Sequence, residues 1–291
     1  MAEVIFIGLS TIDVIYSVDR FPKANEKVVA RSQDVFVGGP AANACIAFTH
    51  LGGKASLVTA VGRHPLASMI REEAGRYGIQ LIDLNADFAD VPAISSVTVA
   101  KNGQRNVVSA NAVRVNTPEP EVQLQALNQA RMVMVDGHHM QACKAWAAAA
   151  RAQGKPVVFD GGSWKDGSEE LLKSVSVAIC SADFSPPGCK SSEQVVEYVR
   201  ACGVANIAIT HGADPISFAS GMSSGTLRIP PVDVVDTTGA GDVLHGAYCY
   251  YASIGHGFIE ALSEAAEVAA ESCRHAGTRE WMNRAPALAT A

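Results

Sequence analysis

Apolar and polar residues along this chain follow two alternating patterns. Short, mainly apolar runs predict buried β-strands; they lie at residues 4–8, 55–61, 132–135, 156–160, 175–180 and 206–210. Alanine-rich stretches repeat apolar residues every three or four positions, which predicts amphipathic helices, at residues 41–51, 140–153 and 259–275. Strands that alternate with helices imply right-handed crossovers, so we expect an α/β fold with a mainly parallel sheet sandwiched between helices.

Two segments break this rhythm. Residues 14–37 and 93–110 show strand-like alternation without intervening helices, and Asn102-Gly103 is a dipeptide that favours the tight turn of a β-hairpin. We therefore expect a small β layer, built from these two discontinuous segments, at the edge of the main sheet. The α/β body would then comprise residues 1–13, 38–92 and 111–291.

Composition argues against several classes of function. The 291 residues carry a formal net charge of −6, whereas a protein that binds a phosphate backbone needs a basic face, so nucleic acid is not an expected partner. The N-terminus lacks a basic n-region, and no apolar run approaches the roughly 20 residues that span a bilayer. Seven cysteines are scattered singly, which fits a reducing compartment. We expect a cytoplasmic protein with no membrane partner.

Candidate chemistry concentrates in the run Asp-Thr-Thr-Gly-Ala-Gly-Asp at residues 236–242, which opens an apolar helical pattern. Small residues at a helix start let backbone N–H groups approach a ligand closely, and the helix dipole adds positive potential, so this turn suits a phosphate. A carboxylate in the same turn would meet the hydroxyl that attacks that phosphate. The alternative is an ordinary surface helix capped by aspartate or threonine. The run alone does not decide between these interpretations.

Other nucleotide-binding motifs fit the chain poorly. A dinucleotide-binding fold requires GxGxxG after its first strand, but residues 8–13 are Gly-Leu-Ser-Thr-Ile-Asp. A Walker loop requires GxxxxGK[ST], and residues 52–55 are Gly-Gly-Lys-Ala, which lack the hydroxyl. A nucleotide would have to be held in another way.

The run at 236–242 resembles the C-terminal signature of the ribokinase-like, or pfkB-type, carbohydrate kinases. Residues 38–44, Gly-Gly-Pro-Ala-Ala-Asn-Ala, are similar to the N-terminal signature of that family, and Gly8 with Asp13 and Thr210 with Gly212 also match. The resemblance covers essentially the whole chain, and residues 8–22 are most similar to ketohexokinase-like members. It implies the ribokinase-like fold, in which the small β layer is a lid that closes over a sugar and often pairs two subunits into a homodimer.

For catalysis, the resemblance implies that Asp242 is the base that takes a proton from a substrate hydroxyl. The amides of Gly239, Ala240 and Gly241 would stabilise charge on the transferred phosphoryl group. The implied cofactors are ATP and Mg²⁺.

The nucleotide and a monovalent cation are assigned by the same resemblance. ATP contacts are expected from the turn itself and from three further residues, Thr210, Gly212 and Gly277. Asp236 and Thr238 match positions that hold a monovalent cation, typically potassium, in many members.

The sugar is expected to lie among four residues that match the family's substrate site: Asp13, Gly38, Gly39 and Asn43. Asp13 follows the first strand, and open α/β sheets bind ligands at the carboxyl ends of their strands. His138 follows another strand and faces the same rim, where it could contact a substrate substituent or remain a solvated loop residue. Lys27 is expected to begin a lid strand, as an exposed edge charge or as a contact to an anionic substituent.

The chain departs from the family at one loop. Many relatives carry Asn-x-x-Glu after the strand equivalent to residues 175–180, where the Glu helps to organise magnesium, but here residues 181–188 contain neither residue. Asp183 is the carboxylate that could compensate through water. Ketohexokinase-like members also lack this run, which favours a ketose or a modified furanose as substrate.

Three functions remain open at this point. The first is ATP-dependent phosphorylation of a primary hydroxyl on a sugar or sugar derivative. The second is a nucleoside kinase, which needs an apolar shelf for the base. The third is a sugar-binding regulatory protein that has lost catalysis, although the complete run at 236–242 argues against it.

Overall fold

The computed structural model describes residues 3–101, 104–111 and 120–283. The predicted turn at Asn102-Gly103 lies outside these residues. The described chain forms a large sheet covered by helices on both faces and a smaller, separate sheet. The predicted α/β class, with a second, smaller sheet, is therefore confirmed.

Nine strands form the large sheet, in the order β13-β12-β11-β10-β9-β8-β1-β4-β5. In chain order they are β1 (Glu3–Ile7), β4 (Lys54–Thr59), β5 (Gln80–Asp83), β8 (Met132–Val135), β9 (Val157–Gly161), β10 (Val177–Ser181), β11 (Asn206–His211), β12 (Asp214–Ser220) and β13 (Ser223–Leu227). The pairings from β11 through to β5 are parallel, and β12 and β13 extend that edge as antiparallel strands. All six apolar runs of the sequence are parallel strands of this sheet.

Helices cover both faces of this sheet because its central strands are apolar on both sides. They are α1 (Pro40–His50), α2 (Ala67–Arg76), α3 (Leu124–Gln129), α4 (Met140–Ala152), α5 (Ser168–Leu172), α6 (Ser192–Ala201), α7 (Ala240–Ser253) and α8 (Phe258–Ser272), followed by a short 3₁₀ helix (Glu280–Asn283). Alternate residues of β1 enter two different cores. Val4 and Phe6 pack with α1, α7 and α8, whereas Ile5 and Ile7 pack with α4.

The smaller sheet has four strands in the order β3-β2-β6-β7. They are β2 (Thr11–Val18), β3 (Ser32–Gly38), β6 (Ile94–Ala100) and β7 (Arg105–Ser109). Strands β6 and β7 pair as an antiparallel hairpin. The first residue pair between β2 and β3 is Thr11 with Gly38. The sequence-based boundaries placed both of these residues in the α/β body.

Two positions differ from the sequence-based prediction. Asp13 does not end a strand of the main sheet; it is the third residue of β2, because the chain turns into the small sheet directly after residues 8–10. Lys27 does not begin a strand. It is exposed in an irregular loop before β3, where Asn25 has a left-handed φ of 59°.

The carboxyl ends of β1, β8, β9 and β10 meet at one edge of the large sheet, where the amino ends of α1 and α7 also lie. Ligands of open α/β sheets bind at such an edge. In the described ranges, we find no helix with the length and apolar character needed to cross a bilayer.

Candidate active site

Gly38 and Gly39 form the tight entry to α1, and each is required by a close contact. A Cβ at Gly39 would lie 2.4 Å from the carbonyl oxygen of Leu9, and its φ of 97° is one that other residues rarely adopt. A Cβ at Gly38 would lie 1.9 Å from Oδ2 of Asp13. These glycines therefore bring the start of α1 against the end of β1 and leave room for the Asp13 carboxylate, which accepts a hydrogen bond from Thr11 Oγ1 (2.7 Å).

Asp136, which the sequence analysis did not select, connects the start of α1 to the end of β8. It follows β8, is 1% exposed, and its Oδ2 accepts from the amides of Leu9 (2.8 Å) and Ala41 (3.2 Å). Its Oδ1 accepts from the amide of His138 (2.8 Å). A carboxylate that accepts several backbone N–H bonds fixes the segments that donate them. The sequence could have identified Asp136, because this aspartate directly follows the apolar strand β8.

Asn43 and Asp242 are in direct contact. Asn43 is the fourth residue of α1, too far inside the helix to be its cap, and its Nδ2 donates to Oδ2 of Asp242 over 2.7 Å. Asp242 lies in the first turn of α7 and is partly accessible, which the predicted role as a base would require. The structure thus joins the two signature segments of the sequence.

Arg279, also missed from the sequence, fixes the orientation of the Asn43 amide. Its guanidinium donates to Oδ1 of Asn43 (3.0 Å), to the carbonyl of Val37 (2.9 Å) and to Glu73 (3.1 Å). The Arg279 and Glu73 side chains are only 14% and 13% exposed. Since Oδ1 of Asn43 accepts from Arg279, Nδ2 is the atom that faces Asp242. The Val37 carbonyl also links this group to the Gly38 turn.

The environment of Asp242 raises the pKa of its carboxyl to about 7. Burial is the largest cause, and the nearby Asp160 carboxylate raises the pKa further. The hydrogen bond from Asn43 and the proximity of His245 act in the opposite direction. A general base is most effective when its pKa lies near the working pH, so Asp242 is suited to accept a proton at neutral pH.

The start of α7 supplies free backbone donors beside this carboxylate. The amides at a helix start have no partner within the helix. Within the described part of the chain, the amides of Gly239 and Gly241 make no hydrogen bond to protein, whereas the amide of Ala240 donates weakly to the carbonyl of Thr237 (3.3 Å). Two of the three predicted anion-binding amides are therefore open to a ligand, and Ala240 is the least suited of the three.

Asp236 closes the turn before α7. Its Oδ1 accepts from the amide of Thr238 (2.9 Å) and its Oδ2 from the amide of Gly277 (2.8 Å). Burial raises the pKa of Asp236, but these hydrogen bonds and the charge of Arg105 outweigh it, and the net pKa is lowered. The Arg105 guanidinium, which comes from the small sheet, lies 3.3 Å from Oγ1 of Thr238. Both Asp236 oxygens thus accept backbone amides and close the turn, and the assignment of a monovalent cation to Asp236 and Thr238 stays a prediction.

Thr210 and Gly212 lie where β11 ends and turns into β12. The Thr210 carbonyl accepts from the amide of Ala182 (3.0 Å), which places the altered loop after β10 directly beside this strand end. Asp183 on that loop is exposed. Magnesium takes one or two carboxylates together with water and phosphate oxygens, so an exposed carboxylate beside the segment predicted to contact ATP fits Mg²⁺.

His138, His139 and Lys165 occupy the loops after β8 and β9. Burial lowers the pKa of His138, and it lowers that of His139 to about 4, so both rings are neutral near pH 7. Lys165 Nζ lies near the carbonyl oxygens of Asp136 (3.4 Å) and Ser163 (3.3 Å). The amide of His138 shares the Asp136 carboxylate with the start of α1, whereas Lys27 is exposed on its loop.

Comparisons with known proteins identify the family of this chain. A family model described as pfkB family carbohydrate kinase matches residues 1–285. The ribokinase of Haemophilus influenzae is 22% identical over 255 residues, which cover 83% of this chain and 82% of that protein. The aminoimidazole riboside kinase of Salmonella typhimurium is 26% identical over 254 residues, or 81% and 80% of the two chains.

Solved structures are similar over the same extent. Arabidopsis thaliana ribokinase, complexed with ribose and ATP, has a TM-score of 0.82 at 21% identity, over 98% of this chain and 99% of that one. Ribokinase from Thermotoga maritima also has a TM-score of 0.82, at 21% identity, over 97% and 98%. Together with the family match across the chain, these observations show that the protein belongs to the pfkB family of carbohydrate kinases, phosphotransferases with an alcohol group as acceptor.

Proposed function

We propose that the protein transfers the γ-phosphoryl group of ATP to a primary hydroxyl of a sugar or sugar derivative, with Asp242 as general base. The observation that carries this proposal is the juxtaposition at the start of α7: a carboxylate with a pKa of about 7, held by Asn43, beside the free amides of Gly239 and Gly241. A base and an anion hole in one turn are what phosphoryl transfer requires.

In this mechanism, Asp242 accepts the proton of the substrate hydroxyl as its oxygen forms a bond to the γ-phosphorus. The bond from that phosphorus to the bridging oxygen of ADP breaks, and ADP leaves with the electron pair. The amides of Gly239 and Gly241 donate to the oxygens of the transferred group, where negative charge must be stabilised. Desolvation of the site strengthens these contacts, since fixed dipoles act more strongly away from water.

The sugar would lie between the Gly38 turn and Asp242. Asp13, which approaches Gly38, is proposed to accept from sugar hydroxyls, and the second Nδ2 hydrogen of Asn43 remains available for the substrate. Because its other contacts go to Asp242 and Arg279, Asn43 acts mainly on the base. His138 is proposed to line the rim, and Lys27 would reach the site only for a substrate with an anionic substituent.

ATP is proposed to lie along the ends of β10 and β11, near Thr210 and Gly212, with Gly277 beside the turn that Asp236 closes. Asp183 would hold Mg²⁺ through water. When bound, Mg²⁺ neutralises phosphate charge and orients the nucleotide. Arg105 contacts Thr238 from the small sheet, which supports a lid role for that sheet, because closure would place a cation over the phosphates.

The substrate class follows from the relatives and from the altered loop at 181–188. Ribokinase and aminoimidazole riboside kinase, by their names, act on ribose and on a riboside. A ketose or modified furanose is our first candidate, and a nucleoside is the second because one relative acts on a riboside. A panel of ketoses, pentoses, sugar acids and nucleosides with Mg-ATP, analysed for phosphorylated product by mass spectrometry, separates them. The absence of product throughout would overturn the proposal.

A homodimer through the lid is proposed from its surface. Strand β7 is the edge of the small sheet, and it exposes Val107 (54%) and Val108 (75%). Exposed apolar residues on an edge strand favour pairing with a second sheet edge. A monomer at micromolar concentration in light scattering would contradict the dimer.

A cytoplasmic location is proposed from the free cysteines, four of which are buried thiols among the described residues.

A further inference from the structure

Asp160 and His245 form a buried pair beside Asp242 that the proposed mechanism has not used. Asp160 lies in β9 and is 6% exposed, and His245 lies one turn after Asp242 in α7 and is 5% exposed. Nδ1 of His245 is 3.6 Å from Oδ2 of Asp160. Burying an ionisable group costs desolvation free energy unless the group is paired. We therefore asked what function these two residues have.

Both ring nitrogens of His245 lie within hydrogen-bond distance of backbone carbonyl oxygens. Nδ1 lies 2.7 Å from the carbonyl oxygen of Gly241, and Nε2 lies 3.0 Å from the carbonyl oxygen of Ile179. A carbonyl oxygen only accepts, so both contacts are hydrogen bonds only in a ring that carries a hydrogen on each nitrogen. A neutral ring, with one bare nitrogen, would set two lone pairs against each other. These contacts therefore favour a ring that carries both hydrogens, and Oδ2 of Asp160, 3.6 Å from Nδ1, would balance its charge.

We propose that Asp160 and His245 are positioning residues that form a buried ion pair beneath Asp242 and balance the charge around this base. The inference rests on the proposed function of Asp242. His245 is held by Gly241, the residue immediately before the base, and Ile179 belongs to β10. The pair thus ties the first turn of α7 to β9 and β10.

Charge around the pair comes from several elements. Three carboxylates, Asp136, Asp160 and Asp242, interact across the carboxyl ends of β8 and β9 and the start of α7. The other titratable groups that act on or feel Asp160 are His138, Lys165, Cys180, His245 and Cys249. The thiols remain neutral because burial raises their pKa. In this proposal His245 and Lys165 are the cations that offset the charge of the three carboxyl groups.

This arrangement predicts opposite effects from the two members of the pair. Asp160 raises the pKa of Asp242, so Asp160→Asn should lower the titration midpoint of Asp242. His245 lowers that pKa, so His245→Asn should raise the midpoint. Each shift should be about one pH unit, as expected for a charge removed near a partly buried carboxyl. A merely structural role would not produce shifts of opposite sign.

The test is a ¹³C NMR titration of the Asp242 carboxyl, assigned by the loss of its signal in Asp242→Asn. Wild type, Asp160→Asn, His245→Asn and the double variant are compared with Cys180→Ser, a neutral change beside Asp160. We expect opposed shifts in the single variants, a midpoint near that of wild type in the double variant, and no shift in the control. Unchanged midpoints, or shifts of the same sign, would overturn the inference.

A second measurement needs only the wild-type protein, in case a substitution at these buried positions prevents folding. The ¹⁵N shifts of His245 report its charge directly, and we expect two protonated nitrogens at pH 7. A neutral ring would overturn the ion pair. Neither measurement uses a substrate. Opposed shifts in a protein that phosphorylates nothing would contradict the kinase mechanism alone, whereas product formation without these shifts would contradict the pair alone.

Discussion

Nδ2 of Asn43 donates a 2.7 Å hydrogen bond to Oδ2 of Asp242, although the two residues are 199 positions apart in the sequence. One residue comes from the helix that follows the paired glycines, and the other from the turn that opens α7. The contact explains why two separate segments must be present together, because the first holds the carboxylate that the second provides.

Replacing Asn43 with alanine should weaken the base mainly at low pH. The hydrogen bond from Asn43 lowers the pKa of Asp242, so its loss moves the pKa above about 7. Activity requires the ionised carboxylate, and the acidic limb of the profile of kcat/KM against pH should shift upward by about 0.5 to 1 unit. Rates at pH 6.5 would then fall more than rates at pH 8.5. An equal loss at all pH values would show that Asn43 acts on substrate binding alone.

Replacing Arg279 with alanine should reduce kcat by about tenfold, because Asn43 loses the partner that fixes its amide. It should also lower Tm, since the largely buried Glu73 carboxylate keeps only its exposed partner Arg76. Arg76→Ala is the matched control: it removes another cation from the same Glu73, but Arg76 is 73% exposed. We expect the control to retain normal kcat. Similar kcat values for both variants would contradict the positioning role of Arg279.

Replacing Arg105 with alanine should raise KM for ATP several-fold with a smaller change in kcat. Its guanidinium lies against Thr238 at the turn where the phosphates are proposed to bind. Lys101→Ala removes another exposed cation from the same hairpin and is the control. If both variants bind ATP as wild type does in calorimetry, the contact with Thr238 has no role in nucleotide binding.

Asp242 should cost the protein stability at neutral and higher pH. Its folded-state pKa of about 7 lies above the reference value of 3.8, so the folded state binds more protons than the unfolded chain between these values. The free energy of unfolding therefore falls as pH rises from about 4 to 7. Asp242→Asn should be more stable than wild type at pH 8, by about 2 kcal/mol after allowance for solvent access. This difference should shrink towards pH 4, and a constant difference would exclude the raised pKa.

Local sequence patterns identified the elements and the two signature segments, because strand alternation, glycine turns and helix starts depend on neighbouring residues. The contacts between distant segments that complete the site could not be predicted from such local patterns. Arg279 is linked to Val37 and Asn43 only through packing of distant segments. Asp136 ends an apolar strand and could have been found by the same argument that selected Asp13.

The boundary of the small sheet was misplaced for a related reason. Residues 11–13 continue an apolar run that begins in β1, and only the pairing of Thr11 with Gly38 reveals that they belong to the other sheet. Lys27 was assigned to a strand from its neighbours, but the left-handed Asn25 turns that segment into a loop.

The most direct test of the account is the turnover of Asp242→Asn with the substrate that the panel identifies. We expect normal folding and ATP binding by calorimetry but a kcat reduced by at least about 10³-fold, because the substituted amide cannot accept the proton of the attacking hydroxyl. A kcat within about tenfold of wild type would contradict the assignment of Asp242 as the catalytic base.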